Sequence, residues 1–175
     1  MNRSRICATV AIGTAAAVLS LTTGSSPAFA SSEGVTITYS CTEPPYPAGE
    51  ADFTVFINVP KKVIQGQTIS LKASILSVDP TKVDVPAGGV DGTLAISVGG
   101  AATTGVTATG LTNQDAVPIG EQVLQSGGTA SLTTSTAGVY TFTPGEFVIT
   151  TWMDTTLDCA PESTPVAATT TVLPH

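Results

Sequence analysis

The feature that most constrains this chain is a two-residue alternation of apolar and polar side chains, which recurs in one segment after another. It is clearest at Phe53 to Val59, Ile69 to Ile75 and Leu94 to Val98, where every second residue is apolar. Successive side chains of a β-strand point to opposite faces, so this spacing predicts strands with one buried face. After residue 30, no apolar stripe with the helical period extends beyond a turn or two. The sequence therefore predicts an all-β fold.

The strongest strand signal lies between Gly138 and Cys159. Pro144-Gly145 in its middle predicts a turn between two strands. At the two-residue period, the predicted buried face carries Phe147, Ile149, Met153, Leu157 and Cys159.

Two cysteines fall on the predicted buried faces of the first and last strands. Cys41 shares its parity with Ile37 and Tyr39, and Cys159 shares its parity with Phe147. We therefore predict a disulfide between Cys41 and Cys159, with the two cysteines meeting between packed strands. Such a bond closes almost the whole domain into one covalent loop.

The first thirty residues have the features of a signal peptide. Arg3 and Arg5 precede an apolar run, and Ala28-Phe29-Ala30 places small residues at a cleavage site. The alternative is an uncleaved membrane anchor, which the small-residue site disfavours. We predict cleavage after Ala30 and secretion to the extracellular space, with no membrane association once the signal peptide is removed.

The remaining chain divides into a β-domain at residues 31–160 and a Thr-, Pro- and Ala-rich segment at 161–175, which we predict to be a disordered tail. Four lysines stand against 13 acidic residues after residue 30, a formal net charge of −9. Nucleic acid and anionic membranes would repel such a chain. An acidic surface is also a common route to solubility in an exported protein.

Seven to nine short strands separated by Gly and Pro turns predict an immunoglobulin-like two-sheet β-sandwich. The proline-rich loop at 42–49 and the segment at 79–92 are predicted to be loops, the second with at most a short edge strand.

Several short motifs resemble an uncharacterised family of actinobacterial secreted domains. They are Tyr39-Ser40-Cys41, Val59-Pro60 followed by Gly66, Gly138 leading to Phe142-Thr-Pro-Gly145, and Asp158-Cys159. The resemblance spans residues 35 to 160, and the loop from Glu43 to Pro47 departs from it. It implies a secreted β-sandwich with one disulfide from a Gram-positive actinobacterium, and no functional residues.

The residues required for common catalytic and metal sites are not found. A histidine base is missing, because the only histidine is His175 at the end of the chain. With both cysteines oxidised, thiol catalysis and a Cys/His zinc site are excluded as well. The sequence therefore predicts a non-enzyme without cofactor or metal. Two alternatives to this prediction remain. A catalytic carboxylate pair could be drawn from Glu43, Glu50, Asp52, Asp154, Asp158 and Glu162. A calcium site could be formed by Asp79, Asp84 and Asp91.

Two functions remain. The first is a non-catalytic extracellular module, structural or adhesive, that binds a cell-surface glycan or an extracellular protein. The alternative is a secreted inhibitor of an extracellular enzyme, which would present the loop at 43–49 or the loop at 79–92. Phe56 and Trp152 have the parity opposite to the core and form the candidate binding surface. The competing interpretation, which we favour, is that both rings are covered or packed.

Overall fold

A computed structural model describes residues 33–175, which form ten strands and no helix. In chain order the strands are β1 (Val35–Thr42), β2 (Gly49–Asn58), β3 (Lys62–Ile64), β4 (Thr68–Ser77), β5 (Val90–Gly100), β6 (Thr104–Thr112), β7 (Leu124–Thr133), β8 (Gly138–Thr151), β9 (Thr156–Pro161) and β10 (Ala168–Leu173). The predicted all-β fold is confirmed.

All ten strands belong to one continuous hydrogen-bonded sheet, in the order β3-β10-β8-β5-β6-β7-β4-β2-β1-β9. Because β9 also pairs with β8, eight of these strands close into a ring, and β10 and β3 extend from it beside β8. Closing a sheet in this way covers the strand edges that would otherwise pair with other chains. The sequence predicted two separate sheets, whereas the strand pairing is continuous.

Strand β8 makes this closure possible. One of its edges pairs with β5 along nearly its full length. Its other edge is shared, since residues 138–142 pair with β10 and residues 147–150 pair with β9. Pro144, which has no N–H to donate, lies in the gap between these two partners.

The predicted turn at Pro144-Gly145 is wrong, because β8 continues through it. Leu94 of β5 lies opposite Phe147, and Ile96 lies opposite Pro144, so β8 carries one extra residue in a β-bulge. The buried positions of β8 accordingly change from even to odd numbers across the bulge. The actual turn follows β8 at residues 152–155, which removes Met153 from the core and leaves it 56% exposed.

The inside of the ring is filled by the alternating apolar residues that the sequence predicted. Val55, Ile57 and Val59 are fully buried, as are the matching residues of β4 and β5. Tyr39, Phe53 and Phe147 pack edge to face, with centroid distances of 4.7 to 5.8 Å. These rings come from β1, β2 and β8, so the cluster contributes to holding the ring closed.

The predicted disulfide is confirmed. Cys41 and Cys159 are directly opposite in the β1–β9 pairing, with their Cα atoms 4.0 Å apart. The two cysteines therefore join neighbouring strands of one sheet, and the expectation that they meet between packed strands is corrected.

The tail predicted to be disordered contains β10. Ala168, Thr170 and Val172 are buried, while the residues between them are less buried or exposed. The Thr170 hydroxyl donates a hydrogen bond to the carbonyl oxygen of Pro60. A strand forms here because small and β-branched residues pack well on a pleated surface, even in a segment with few large apolar residues.

The predicted signal peptide at residues 1–30 lies outside the described residues.

Candidate functional site

Four connecting segments meet at one end of the ring, which we call the apical end. They are residues 43–48, 78–89, 113–123 and 152–155. The strand registers place them together: the start of β2 extends past the end of β4, and the start of β5 lies beside the end of β8. Loops carried on a rigid sheet are common positions for binding residues.

Two apical loops contain the same short motif, Val-Pro-x-Gly, at Val85–Gly88 and Val117–Gly120. The N–H of each valine donates to the carbonyl oxygen of the other, both at 2.8 Å. Each motif also makes a turn in which the glycine has a positive φ, 65° at Gly88 and 92° at Gly120. The two loops therefore support each other through a local, approximately two-fold arrangement.

Asn113 fixes the position of these loops from below. Its side chain is 1% exposed, and its amide nitrogen donates to the carbonyl oxygens of Pro86 at 2.7 Å and Asp115 at 3.0 Å. Its amide oxygen accepts a hydrogen bond from the N–H of Val90 at 2.9 Å. A buried amide with three hydrogen bonds is typical of a loop with one defined conformation.

The β8–β9 turn contacts the same loops. The N–H of Trp152 donates to the carbonyl oxygen of Gly89 at 2.7 Å. The hydroxyls of Thr151 and Thr155 lie 2.7 Å apart across the base of the turn. Asp154 has a φ of 58°, a conformation that favours glycine or asparagine. The turn therefore holds Trp152 and Met153 at a fixed place on the apical end.

These elements form a cleft of about 460 Å³, which we call the Val-Pro cleft. Its walls are the two Val-Pro pairs, Ala116 and Trp152, and its one charged lining residue is Asp84. One carboxylate oxygen of Asp84 accepts a hydrogen bond from the N–H of Ile119 at 2.9 Å, which orients the group. The surface of the cleft is thus almost wholly apolar, and the carboxylate of Asp84 is turned toward the N–H of Ile119.

The whole apical end is apolar and acidic. Of the twelve large apolar residues that are exposed within residues 33–175, six lie on its loops: Tyr46, Val78, Val83, Ile119, Trp152 and Met153. The same loops carry six acidic residues and one lysine, namely Glu43, Asp79, Asp84, Asp115, Glu121, Asp154 and Lys82. Exposed apolar side chains grouped in this way mark interaction sites more often than scattered ones do.

The two residues predicted from the sequence as a binding surface lie in different places. Phe56 is half-buried on β2, where Gly34 lies against its ring. Trp152 is 38% exposed and lines the Val-Pro cleft, which includes no residue of β2. Phe56 is thus half-buried and Trp152 is partly exposed, and the two rings do not form one surface. The sequence analysis missed the repeated Val-Pro-x-Gly motif, although it was visible in the chain.

Of the acidic residues considered for chemistry, Glu50 and Asp52 of β2 and Asp79 line one shallow cleft. Asp52 accepts a hydrogen bond from the Thr38 hydroxyl at 2.7 Å. Asp158 lies elsewhere, on β9 opposite Thr42 of β1. Within residues 33–175, no group of three or more His, Cys, Asp or Glu side chains is arranged to hold a metal ion.

Comparison with protein-family models, with curated proteins and with solved structures returned no match. In the described part of the chain, no helix is long and apolar enough to cross a membrane.

Proposed function

We propose that this protein is an exported, non-catalytic β-domain that binds an extracellular protein or a cell-surface glycan through its apical end. The observation that carries the proposal is the Val-Pro cleft beside the exposed Trp152-Met153 turn. Aromatic and methionine side chains provide large contact areas in binding sites. The hydrogen bonds of Asn113 and of the paired loops hold this surface in shape before a partner arrives, which lowers the entropy lost on binding.

A binding assay with matched variants tests the proposal. The purified protein is incubated with whole actinobacterial cells and with purified cell-wall glycans, and bound protein is measured. Replacing Trp152 and Met153 by serine should remove most of the binding. Val139→Ser is the control, because Val139 is 53% exposed but lies at the start of β8, at the opposite end of the ring. Equal binding by both variants would contradict an apical binding surface.

Inhibition of an extracellular protease is the second candidate, favoured by the loop at 43–48. This loop begins two residues after Cys41, and Tyr46 near its tip is 65% exposed. A protruding loop next to a disulfide suits insertion into a protease cleft, and an aromatic residue suits a chymotrypsin-like specificity pocket. Stoichiometric inhibition that is lost in Tyr46→Ala would support this candidate. Inhibition that is unchanged in Tyr46→Ala, or no inhibition of any protease in a panel, would exclude it.

Export and bacterial origin belong to the same proposal. Amino-terminal sequencing of the secreted protein should begin at Ser31. The short motifs given above support an origin in a Gram-positive actinobacterium.

A further inference from the structure

Exposed apolar side chains also gather at the end of the ring opposite to the apical end, which we call the basal end. Thr171 of β10 lies opposite both Lys62 of β3 and Val139 of β8. Two residues further along β10, Leu173 lies opposite Ile64. Paired residues of neighbouring strands point to the same face of a sheet, as do residues two apart on one strand. The exposed Val139, Ile64, Leu173 and Lys62 therefore share one outer face, which we call the basal patch.

The basal patch complements the Val-Pro cleft and its surroundings. Three of its four side chains are apolar, like the surface of the cleft. The apical loops carry six acidic residues and one lysine, a net charge of −5. The four connections at the basal end, residues 59–61, 65–67, 101–103 and 134–137, contain Lys61 and no acidic residue, and the one acidic residue of this end within residues 33–175 is Glu33 before β1. Two apical ends therefore repel each other, whereas an apical end attracts a basal patch.

We propose that copies of this protein associate head to tail, with the basal patch of one copy seated in the Val-Pro cleft of the next. The inference goes beyond the proposed function, because the occupant of the cleft is a second copy of the same chain. The contact joins two different surfaces, so each dimer keeps one open cleft and one open patch. Association of this type continues into a longer chain of copies or closes into a ring. An occupied cleft also excludes any other partner from that apical end.

Hydrogen bonds fix the backbone of the basal patch, as they fix the apical loops. The N–H of Ile64 donates to the side-chain oxygen of Gln67 at 3.0 Å, and the N–H of Gln67 donates to the carbonyl oxygen of Ile64 at 3.0 Å. The N–H of Gln65 donates to the carbonyl oxygen of Leu173 at 2.8 Å. Two surfaces held in shape in this way lose little entropy when they meet. Because the patch is small, we expect a weak contact with a Kd of roughly 0.1 mM.

Sedimentation of the purified secreted protein measures this association. Between about 10 µM and about 1 mM, the mean mass should rise beyond that of a dimer. Trp152→Ser damages the cleft and Ile64→Ser damages the patch, and each should weaken association at least about tenfold by removing an apolar side chain that the contact buries. Val148→Ser is the control and should change the Kd less than about twofold, because Val148 is 37% exposed and belongs to neither surface.

A mixture of the two damaged variants tests the head-to-tail arrangement itself. Trp152→Ser keeps an intact patch, and Ile64→Ser keeps an intact cleft. Mixed in equal amounts, they should form a one-to-one dimer with the wild-type Kd. This dimer should not grow, because its remaining cleft and patch are damaged. Ala116→Glu, which puts a charge in the apolar lining, and Lys62→Glu form a second pair that should give the same dimer.

The remaining outcomes are also decisive. A wild-type protein that stays monomeric at about 1 mM overturns the inference. Association that is lost in only one of the two serine variants also overturns it, because the contact then joins two copies of the same surface, and so does a failure of both mixtures to dimerise. Cell binding is measured at about 1 µM, where the copies are separate, so the proposed function is judged independently. If the mixtures dimerise while cell binding is unaffected by replacing Trp152 and Met153, the head-to-tail contact stands and the proposed function falls.

Discussion

Breaking the Cys41–Cys159 disulfide should remove a large part of the stability of this protein. The bond joins residues 118 positions apart, so it closes most of the domain into one loop. For a loop of that length, the chain-entropy relation gives about 5 kcal/mol of stabilisation, which acts by restricting the unfolded chain. Domains of this kind have total unfolding free energies of about 5–15 kcal/mol, so the loss would be a third or more of the total.

The native structure should nevertheless survive reduction under mild conditions. The two cysteines lie opposite each other in the β1–β9 pairing, and β9 also pairs with β8 through the segment around Phe147. These pairings do not require the covalent bond. We therefore expect a reduced protein with the same strand content and a melting temperature lower by about 15 °C, given the unfolding entropy of a domain of this size.

Oxidised and reduced protein should be compared by urea unfolding, followed by circular dichroism and by Trp152 fluorescence. The reduced wild type keeps both side chains, so it isolates the cross-link from the cavities that Cys41→Ala and Cys159→Ala would add. If the two forms differ by less than about 1 kcal/mol, then the unfolded chain is already restricted by other contacts, and the loop argument fails.

Three further sets of variants test the packing. Tyr39→Phe should stabilise the protein by about 1 kcal/mol, because the buried Tyr39 hydroxyl has no hydrogen-bond partner among residues 33–175. Tyr140→Phe should cost about as much, because it loses its hydrogen bonds to Thr136. Burial raises the pKa of the Tyr39 phenol, so on raising the pH the unfolded chain loses this proton before the folded protein does. The free energy of unfolding should therefore fall above about pH 10 in the wild type, and it should fall less in Tyr39→Phe. Gly100→Ala should cost more than about 2 kcal/mol in urea unfolding, because φ is 89° and the added Cβ would clash with the carbonyl oxygen of Val139. Gly49→Ala is the control and should cost little, because open space surrounds that position. Asp154→Gly should stabilise the protein by about 0.5–1 kcal/mol and raise its melting temperature, because φ is 58° at this position. An unchanged or lower melting temperature would show that the turn is not strained.

Strand identity was predictable wherever the alternation was unbroken. In β2, β4 and β5 the apolar positions chosen from the sequence are buried, except for the half-buried Phe53, because one face of each strand points into the ring. The same reasoning placed Cys41 and Cys159 on buried parities. It did not show that they were neighbours in one sheet, because strand order depends on pairings between residues far apart in the chain.

The alternation failed where a bulge adds one residue to a strand. In β6 the extra residue is Gly110, and an irregularity in the β4–β7 pairing lies beside Gly127, both glycines having positive φ. Each bulge exchanges the inner and outer parity, so the pattern before it no longer predicts the residues after it. The turn predicted at Pro144-Gly145 was wrong for a related reason. Proline is compatible with either a bulge or a turn, and Pro144 lies at a bulge in β8, at a gap in its pairing.

The apical end differs from the strands because its order does not come from any period in the sequence. Its loops are fixed by single contacts, such as the three hydrogen bonds of Asn113 and the paired N–H groups of Val85 and Val117. Such contacts depend on where loops from distant parts of the chain meet, and the closed sheet decides that position. The chain thus places buried polar groups and a left-handed Asp154 at the end of the molecule that also exposes Trp152 and Met153. Departures from local folding rules are expected where a protein keeps a surface in shape for a partner, and this combination is the structural reason for the apical binding surface that we propose.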